Sequence, residues 1–431
     1  MATVVSGQPD ELRADATPDQ PVRAGERLVT LDLIRGVAVL GILFANITAF
    51  GHPDAAYFWP KALPGGATLG DKVIWYVQLI FVDHKCRGLF SLLFGAGIYL
   101  FMERAWARGS SRWLQFRRLC WLLAFGAVHY FLIWHGDILG TYAATGLMVL
   151  PMLKWSASKQ LKTGIVLYSL GMLGMLTMLG GAWLAANNPS IAAHLSDSQR
   201  EEVVSAEPKT LESVAKNIEF MQSASYPEFV TEQVTKHAGG FLQSLVVVPL
   251  METLGLVLIG MALYRRGFFS GAIDPAKLRR GGWIALLGGL GFTALVALWP
   301  EATGFPFFTT LLTFNELGRL AQLPIALGLA AILAADGPRL AQTPIGNRFA
   351  AAGRMAFSNY LGTSILMLFV FQGWSLGLFG ELHRVQLMLI VFAVWTGMLL
   401  WSKPWLAHFR YGPLEWLWRC LTYWKLFPFR R

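Results

Sequence analysis

Apolar runs recur along almost the whole chain, near residues 30–50, 88–103, 113–134, 138–153, 162–186, 240–264, 281–299, 307–335, 355–378 and 385–402. A helix needs about 20 apolar residues to cross a bilayer, and each run reaches that length alone or with modest flanks. The pattern predicts an all-α, polytopic integral membrane protein of about ten transmembrane helices. One stretch departs from a simple helix. Residues 71–103 would extend roughly 50 Å at the helical rise, and Asp83-His84-Lys85-Cys86-Arg87-Gly88 interrupts them midway. A broken or re-entrant element is expected near 83–88, because irregular backbone and charge survive at membrane depth only when buried in protein or lining a wet cavity.

Charge orients this pattern. Of 36 Lys and Arg residues, 25 fall in the N-terminal tail, in 104–118, 154–162, 265–280 and 337–354, and after 402. These are alternate gaps between runs. Seven cations occupy the other gaps, and four (Arg35, Lys85, Arg87 and Arg319) sit inside apolar segments. Cytoplasmic loops hold Lys and Arg, so both termini are expected inside and the protein is placed in the inner, cytoplasmic membrane. The net charge of +10 follows from that rule, and a nucleic-acid partner is not expected. With 55% hydrophobic and 14% charged residues in 431, a string of soluble domains is excluded.

Residues 1–27 are polar, lack the apolar core of a secretion signal and are expected to form a disordered cytoplasmic tail. Residues 187–239 carry eight acidic side chains against four basic ones and form an acidic external insert with one or two surface helices. The insert separates a five-span half, 28–186, from a second, 240–431, which ends in an amphipathic interfacial helix over Tyr411–Arg419. Cys86, Cys120 and Cys420 have no spacing that suggests a disulfide framework or a metal site.

Three constellations carry candidate chemistry. Asp32, Arg35 and Asn46 lie on the first span, as an i, i+3 ion pair or as an anion site for a phosphorylated donor at the inner face. Asp83, His84, Lys85 and Arg87 form the densest ionisable cluster; Lys85 and Arg87 suit phosphate or carboxylate groups, and an interfacial turn would show the same residues. His129 lies two turns inside the membrane from the turn at Gly136-Asp137. Imidazole titrates near neutrality, which makes His129 the best general base in the chain if its surroundings are wet. Asp137 orients that imidazole, binds an acceptor hydroxyl or caps the next helix. In the second half, Glu316 and Arg319 read as a structural pair, while Arg354 and Asn359 enter the ninth span from the inner side. No Walker-type phosphate loop, G-x-S-x-G elbow or H-E-x-x-H motif occurs.

Several of these segments together resemble a known family. Leu31-Asp32-Leu33-Ile34-Arg35-Gly36 with Asn46, Lys85 to Gly97, His129 to Leu139 with Tyr142, Gly353 to Leu361, and Gly412 to Tyr423 are similar to the YeiB-like membrane proteins, and the C-terminal half to the domain of unknown function 418. The resemblance implies a relation to transmembrane acyltransferases. These take an acyl group from a cytoplasmic thioester, with acyl-CoA the expected donor, and pass it to an external sugar or lipid hydroxyl. On that basis Arg35, Lys85 and Arg87 would hold the donor, His129 and Asp137 would activate the acceptor, and Asp32, Asn46, Arg354 and Asn359 would support them. His52 and His84 match no such position. Two other classes stay open: a transporter using the same buried charges as a pathway, and a non-catalytic membrane partner protein.

Overall fold

The computed structural model describes residues 29–431; the tail expected over 1–27 lies outside the described residues. In chain order the helices are α1 (Val29–Gly51), α2 (Asp54–Phe58), α3 (Leu69–Val77), α4 (Lys85–Ala107), α5 (Arg112–Leu132), α6 (Leu139–Val149) and α7 (Ala157–Asn187). There follow α8 (Pro189–Ala192), α9 (Asp197–Ser223), α10 (Tyr226–Lys236), α11 (Ala238–Val248), α12 (Leu254–Arg265), α13 (Pro275–Ala302) and α14 (Phe307–Leu312). The chain ends with α15 (Gly318–Leu320), α16 (Gln322–Leu340), α17 (Pro344–Arg354), α18 (Ala356–Phe371), α19 (Arg384–His408) and α20 (Pro413–Tyr423).

Among the described residues, seven helical elements are long and apolar enough to cross a membrane, or eight if α17 and α18, which meet at 79°, form one bent span. Each of the ten apolar runs is helical over most of its length, but α18 passes that test only together with α17, and two others fall short for local reasons. Helix α5 carries Arg112, Arg117 and Arg118 in its first two turns. Helix α6 has 11 residues before a 3-10 turn at Leu150–Met152. Helix α1 is buried on nearly every side, with Leu31, Ile34, Ala38 and Ile47 closed off by neighbours. Helices α7 and α13 instead expose Ile165, Leu170, Leu173, Ile284, Leu287 and Leu295. Such faces would be a liability in water and are solvated by lipid tails, which makes the protein a multi-pass membrane protein.

The gaps sort to two poles. At one, Trp418 Nε1 donates to Arg118 O at 2.8 Å, Arg279 pairs with Asp336 at 2.6 Å and Arg266 donates to Ser158 at 3.2 Å; this is the pole of the cation-rich gaps. At the other, Gly380 N donates to Gly51 O, Gln222 to Phe379 O, Tyr226 to Leu132 O and Trp59 to Phe305 O. Helices α8 to α10 belong to this second pole.

The expected interruption near 83–88 is a break and not a reversal: α3 runs into a π-helical turn, Gln78–Val82, then Asp83 and His84, and α4 continues the same span. His84 stands at φ +59°, a conformation that costs a non-glycine residue about 1–3 kcal/mol. Lys85 Nζ donates to Leu79 O at 2.6 Å and Gly318 O at 3.3 Å, satisfying carbonyls that the irregular backbone leaves open. The sharp bend lies elsewhere, at Met355, where the expected inner loop 337–354 is largely helix α17. Thr343 caps it and Pro344 fills its first position.

Glycines bring α4 and α12 into backbone contact. A methyl built on Gly95 would stand 2.1 Å from Val257 O, and one on Gly260 2.0 Å from Leu92 O. Close approach of this kind substitutes for the missing hydrophobic drive between helices in lipid. Gly95→Leu is expected to destabilise the protein by about 3 kcal/mol, seen as a lower midpoint in detergent thermal unfolding. Gly181→Leu, where nothing lies within 4 Å, should leave the midpoint unchanged.

Candidate functional site

A cavity of about 350 Å³ opens at the cation-rich pole between α1, α4, α5, α17, α18 and α20. Arg35, Arg104, Arg118, Arg354 and Arg419 line it together with Asp32 and Glu415, so arginines outnumber acids. Arg35 Nη1 bonds Asp32 Oδ1 at 3.0 Å, which is the i, i+3 pair the sequence suggests, now facing a cavity. The Arg118 guanidinium lies over the rings of Phe101 at 4.5 Å and Trp418 at 4.2 Å, a cation–π arrangement that fixes its position. Glu415 accepts from Phe357 N at 2.9 Å, Ser358 N at 3.1 Å and Ser358 Oγ at 2.5 Å. It closes the N-terminus of α18, where a carboxylate suits the helix dipole. Burial nevertheless pushes the Glu415 carboxyl above its usual range, against the pull of the Ser358 and Phe357 hydrogen bonds.

Further in, the walls turn apolar, with Val39, Ile42, Phe90, Phe94 and Leu122, and the inner end is formed by Ile138, Leu139, Tyr142 and Tyr360. Beyond Tyr360 a void of about 10 Å³ is lined by Asn46, Phe50, Thr363 and Ser364 among others. This is where Asn46 lies.

His129 lies directly behind Tyr360, with the two rings 5.2 Å apart. It occupies the last turn of α5 and has no exposure; its Nδ1 is 2.8 Å from Asp137 Oδ1. The other Asp137 oxygen accepts from Gly140 N at 2.6 Å. Asp137 therefore performs two of the roles open to it, orienting the imidazole and capping the start of α6. An aspartate accepts, so Nδ1 carries a hydrogen, and in the neutral imidazole Nε2 presents its lone pair. That Nε2 is buried without a hydrogen-bond partner.

A second histidine–aspartate pair makes the contrast. His84 Nε2 is 2.9 Å from Asp83 Oδ2, and its Nδ1 is 3.1 Å from Arg87 Nη2. A guanidinium only donates, so Nδ1 accepts, Nε2 donates, and His84 has no lone pair to offer. Tyr57 donates to Asp83 from the far side. Of these two buried pairs, only His129–Asp137 retains a nitrogen without a hydrogen-bond partner; the partly exposed His135–Asp54 pair, at 3.2 Å, also leaves one, the His135 Nδ1.

Lys85 and Arg87 are not in the cavity. Arg87 makes two bonds to Glu252, at 3.1 and 2.8 Å. Glu252 also lies 3.6 Å from Arg319 and accepts from Gln322 at 2.7 Å, and Arg319 pairs with Glu316 at 3.0 Å. The cations expected to act with Arg35 are thus committed elsewhere, Arg87 to a buried carboxylate and Lys85 to backbone carbonyls. Asn359 is also structural in placement: its amide donates to Ala352 O and Ser402 Oγ and accepts from Trp401 Nε1. Arg354 does line the cavity. In the sequence Arg104, Arg118 and Arg419 look like ordinary inside anchors, and the signal for Glu252 is an isolated acid inside an apolar run. Arg384, counted among external cations, is fully buried and donates to Gln78, Ala56 O and Tyr57 O.

The chain is 33% identical over 405 residues to "Uncharacterized protein YeiB" of Escherichia coli (strain K12), covering 92% of this chain and 96% of that protein. It belongs to the YeiB-like family. "Uncharacterized protein YxaH" of Bacillus subtilis (strain 168) is 30% identical over 426 residues, with 94% and 96% covered. A 39.9 kDa protein encoded in the amylase 3' region of Bacillus acidopullulyticus is 28% identical over 409 residues, with 95% and 97% covered. The family described as Protein of unknown function (DUF418) matches residues 263–425. No solved structure matches. In this YeiB-like protein the DUF418 region contributes Arg354, Tyr360, Glu415 and Arg419 to the cavity, while Arg35, Arg104 and Arg118 come from the segment before it, as does His129 behind Tyr360. Neither part forms the site alone.

Proposed function

We propose that the protein is an inner-membrane O-acyltransferase that takes an acyl group from a cytoplasmic acyl-CoA and passes it to an extracytoplasmic sugar or lipid hydroxyl. One observation carries this: a single cavity joins a five-arginine mouth, through apolar walls, to the neighbourhood of a buried His–Asp pair with a free Nε2. Arginine forks match phosphate oxygens, apolar walls suit the pantetheine arm and acyl group, and the imidazole supplies a base. The acceptor oxygen attacks the thioester carbon as its proton passes to His129 Nε2. The C–S bond then breaks, and the thiolate leaves with that proton.

Binding tests the donor half directly. Arg118→Gln and Arg354→Gln are each expected to weaken CoA binding about tenfold or more, from loss of a charged hydrogen bond worth about 1.5–3 kcal/mol. Calorimetry on nanodisc-embedded protein would measure it, with Lys154→Gln, an exposed cation at the same pole, retaining wild-type affinity. CoA affinity equal in all four proteins, or no binding to the wild type, would contradict the assignment. A second reading, passage of an anion across the membrane without covalent chemistry, draws on a different observation. Three π-helical turns, Gln78–Val82, Pro249–Thr253 and Thr313–Leu317, carry or adjoin Asp83, Glu252 and Glu316, and such turns concentrate at functional sites.

A further inference from the structure

We infer that Tyr360 receives the donor's thioester carbonyl, its ring forming the floor of the cavity and its hydroxyl donating to the carbonyl oxygen as charge develops there. The inference rests on the acyltransfer reading. Tyr360 borders both the large cavity and the small void beyond it, so an acyl group that enters from the arginine mouth and passes the apolar walls ends against this ring. Behind the ring, 5.2 Å away, is His129.

The hydroxyl is held where such a donor is needed. Ile138 N, next in sequence to Asp137, donates to Tyr360 Oη at 3.4 Å. The phenol therefore accepts one hydrogen bond from the loop that holds the base's partner, and no described residue accepts its own hydrogen. A carbonyl oxygen at the cavity's inner end fills that place. Tyr360 also follows the bend at Met355 by little more than one turn, and Glu415 fixes the same turn through Phe357 N and Ser358. The floor is thus mechanically tied to the arginine mouth, where Arg354 is the last residue before the bend.

In the transfer step the carbonyl π electrons move onto oxygen as the acceptor oxygen bonds to carbon. They return as the C–S bond breaks, and the Tyr360 proton stays on the phenol throughout. Donors of this type gain value because the transition state carries more charge than the ground state. Tyr360 separates His129 from the cavity in the present arrangement, so the ring must shift for carbonyl and base to share one acceptor oxygen.

The test uses the full-length protein in nanodiscs with labelled acetyl-CoA and decanoyl-CoA as donors and octyl glucoside as the acceptor alcohol. Tyr360→Phe is expected to lower kcat about 100-fold with KM for the donor and CoA affinity within about twofold of wild type, a split that loss of packing alone does not produce. 3-Fluorotyrosine incorporated at 360, which keeps the hydroxyl, should restore turnover and guards against a variant that folds poorly. Wild-type turnover by Tyr360→Phe, with His129→Ala inactive, would overturn the role of Tyr360 and leave the acyltransfer reading standing. Absence of transfer by a wild-type protein that binds CoA would remove the reading and this inference with it.

Discussion

Replacing His129 with Gln is expected to lower acyl transfer by about three orders of magnitude, within the 10²- to 10⁴-fold range of general base catalysis, while CoA affinity stays unchanged. The effect follows from position: His129 is outside the cavity lining, so the donor does not rest on it, and its Nε2 is the free basic nitrogen of the two buried pairs. Glutamine fills similar space but cannot take a proton at neutral pH. Asp137→Asn is expected to cost nearly as much, because an amide can reverse the hydrogen bond and turn the imidazole hydrogen toward Nε2. That variant should keep its fold, since an asparagine oxygen can still cap α6 through Gly140 N. Steady-state transfer from labelled acyl-CoA, read beside CoA calorimetry, separates the two effects. Equal transfer by His129→Gln and wild type would remove the imidazole from the mechanism.

Glu252→Ala is the substitution expected to harm the fold most. Glu252 is buried and touches Arg87 twice, Arg319 and Gln322. Its removal leaves two guanidinium groups short of a carboxylate at membrane depth, where breaking a buried pair costs about 3–5 kcal/mol. The expected outcome is a strongly reduced yield of monodisperse protein and a thermal midpoint well below wild type. Combining Glu252→Leu with Arg87→Met should recover part of the loss, because the charge is removed with its partner and Arg319 retains Glu316 at 3.0 Å. If Glu252→Ala unfolded at the wild-type temperature, the network would have no structural role, and its π-turns would have to be explained by passage of a substrate.

Features written in consecutive residues are legible in the sequence. Apolar run length and the cations between runs anticipate the helical spans and the grouping of gaps at two poles, because lipid acts on each segment separately. The break at Asp83-His84 was visible for the same reason: no continuous span tolerates that density of charge. Pairings across the chain were not visible. Arg87 and Glu252 are 165 residues apart, and they meet only because Gly95 and Gly260 let α4 and α12 touch. Arginines that anchor a loop and arginines that line a cavity obey one sequence rule, so Arg118 resembles an anchor in the sequence, and only the fold places Phe101 and Trp418 around it. Helix α17 reads as a loop in the sequence although Thr343-Pro344 marks its start, since its modest apolar content gives no span signal. Asp137 could be read as a cap or as a partner to His129, and the structure gives it both tasks.

The most direct measurement is vectorial transfer in inside-out membrane vesicles. Labelled acyl-CoA is supplied outside, on the arginine side, and a hydroxyl acceptor is sealed within. The account predicts label esterified to the enclosed acceptor in wild-type vesicles and none with His129→Gln. Intact donor recovered inside, or no label in any acceptor from a protein that binds CoA, would contradict it.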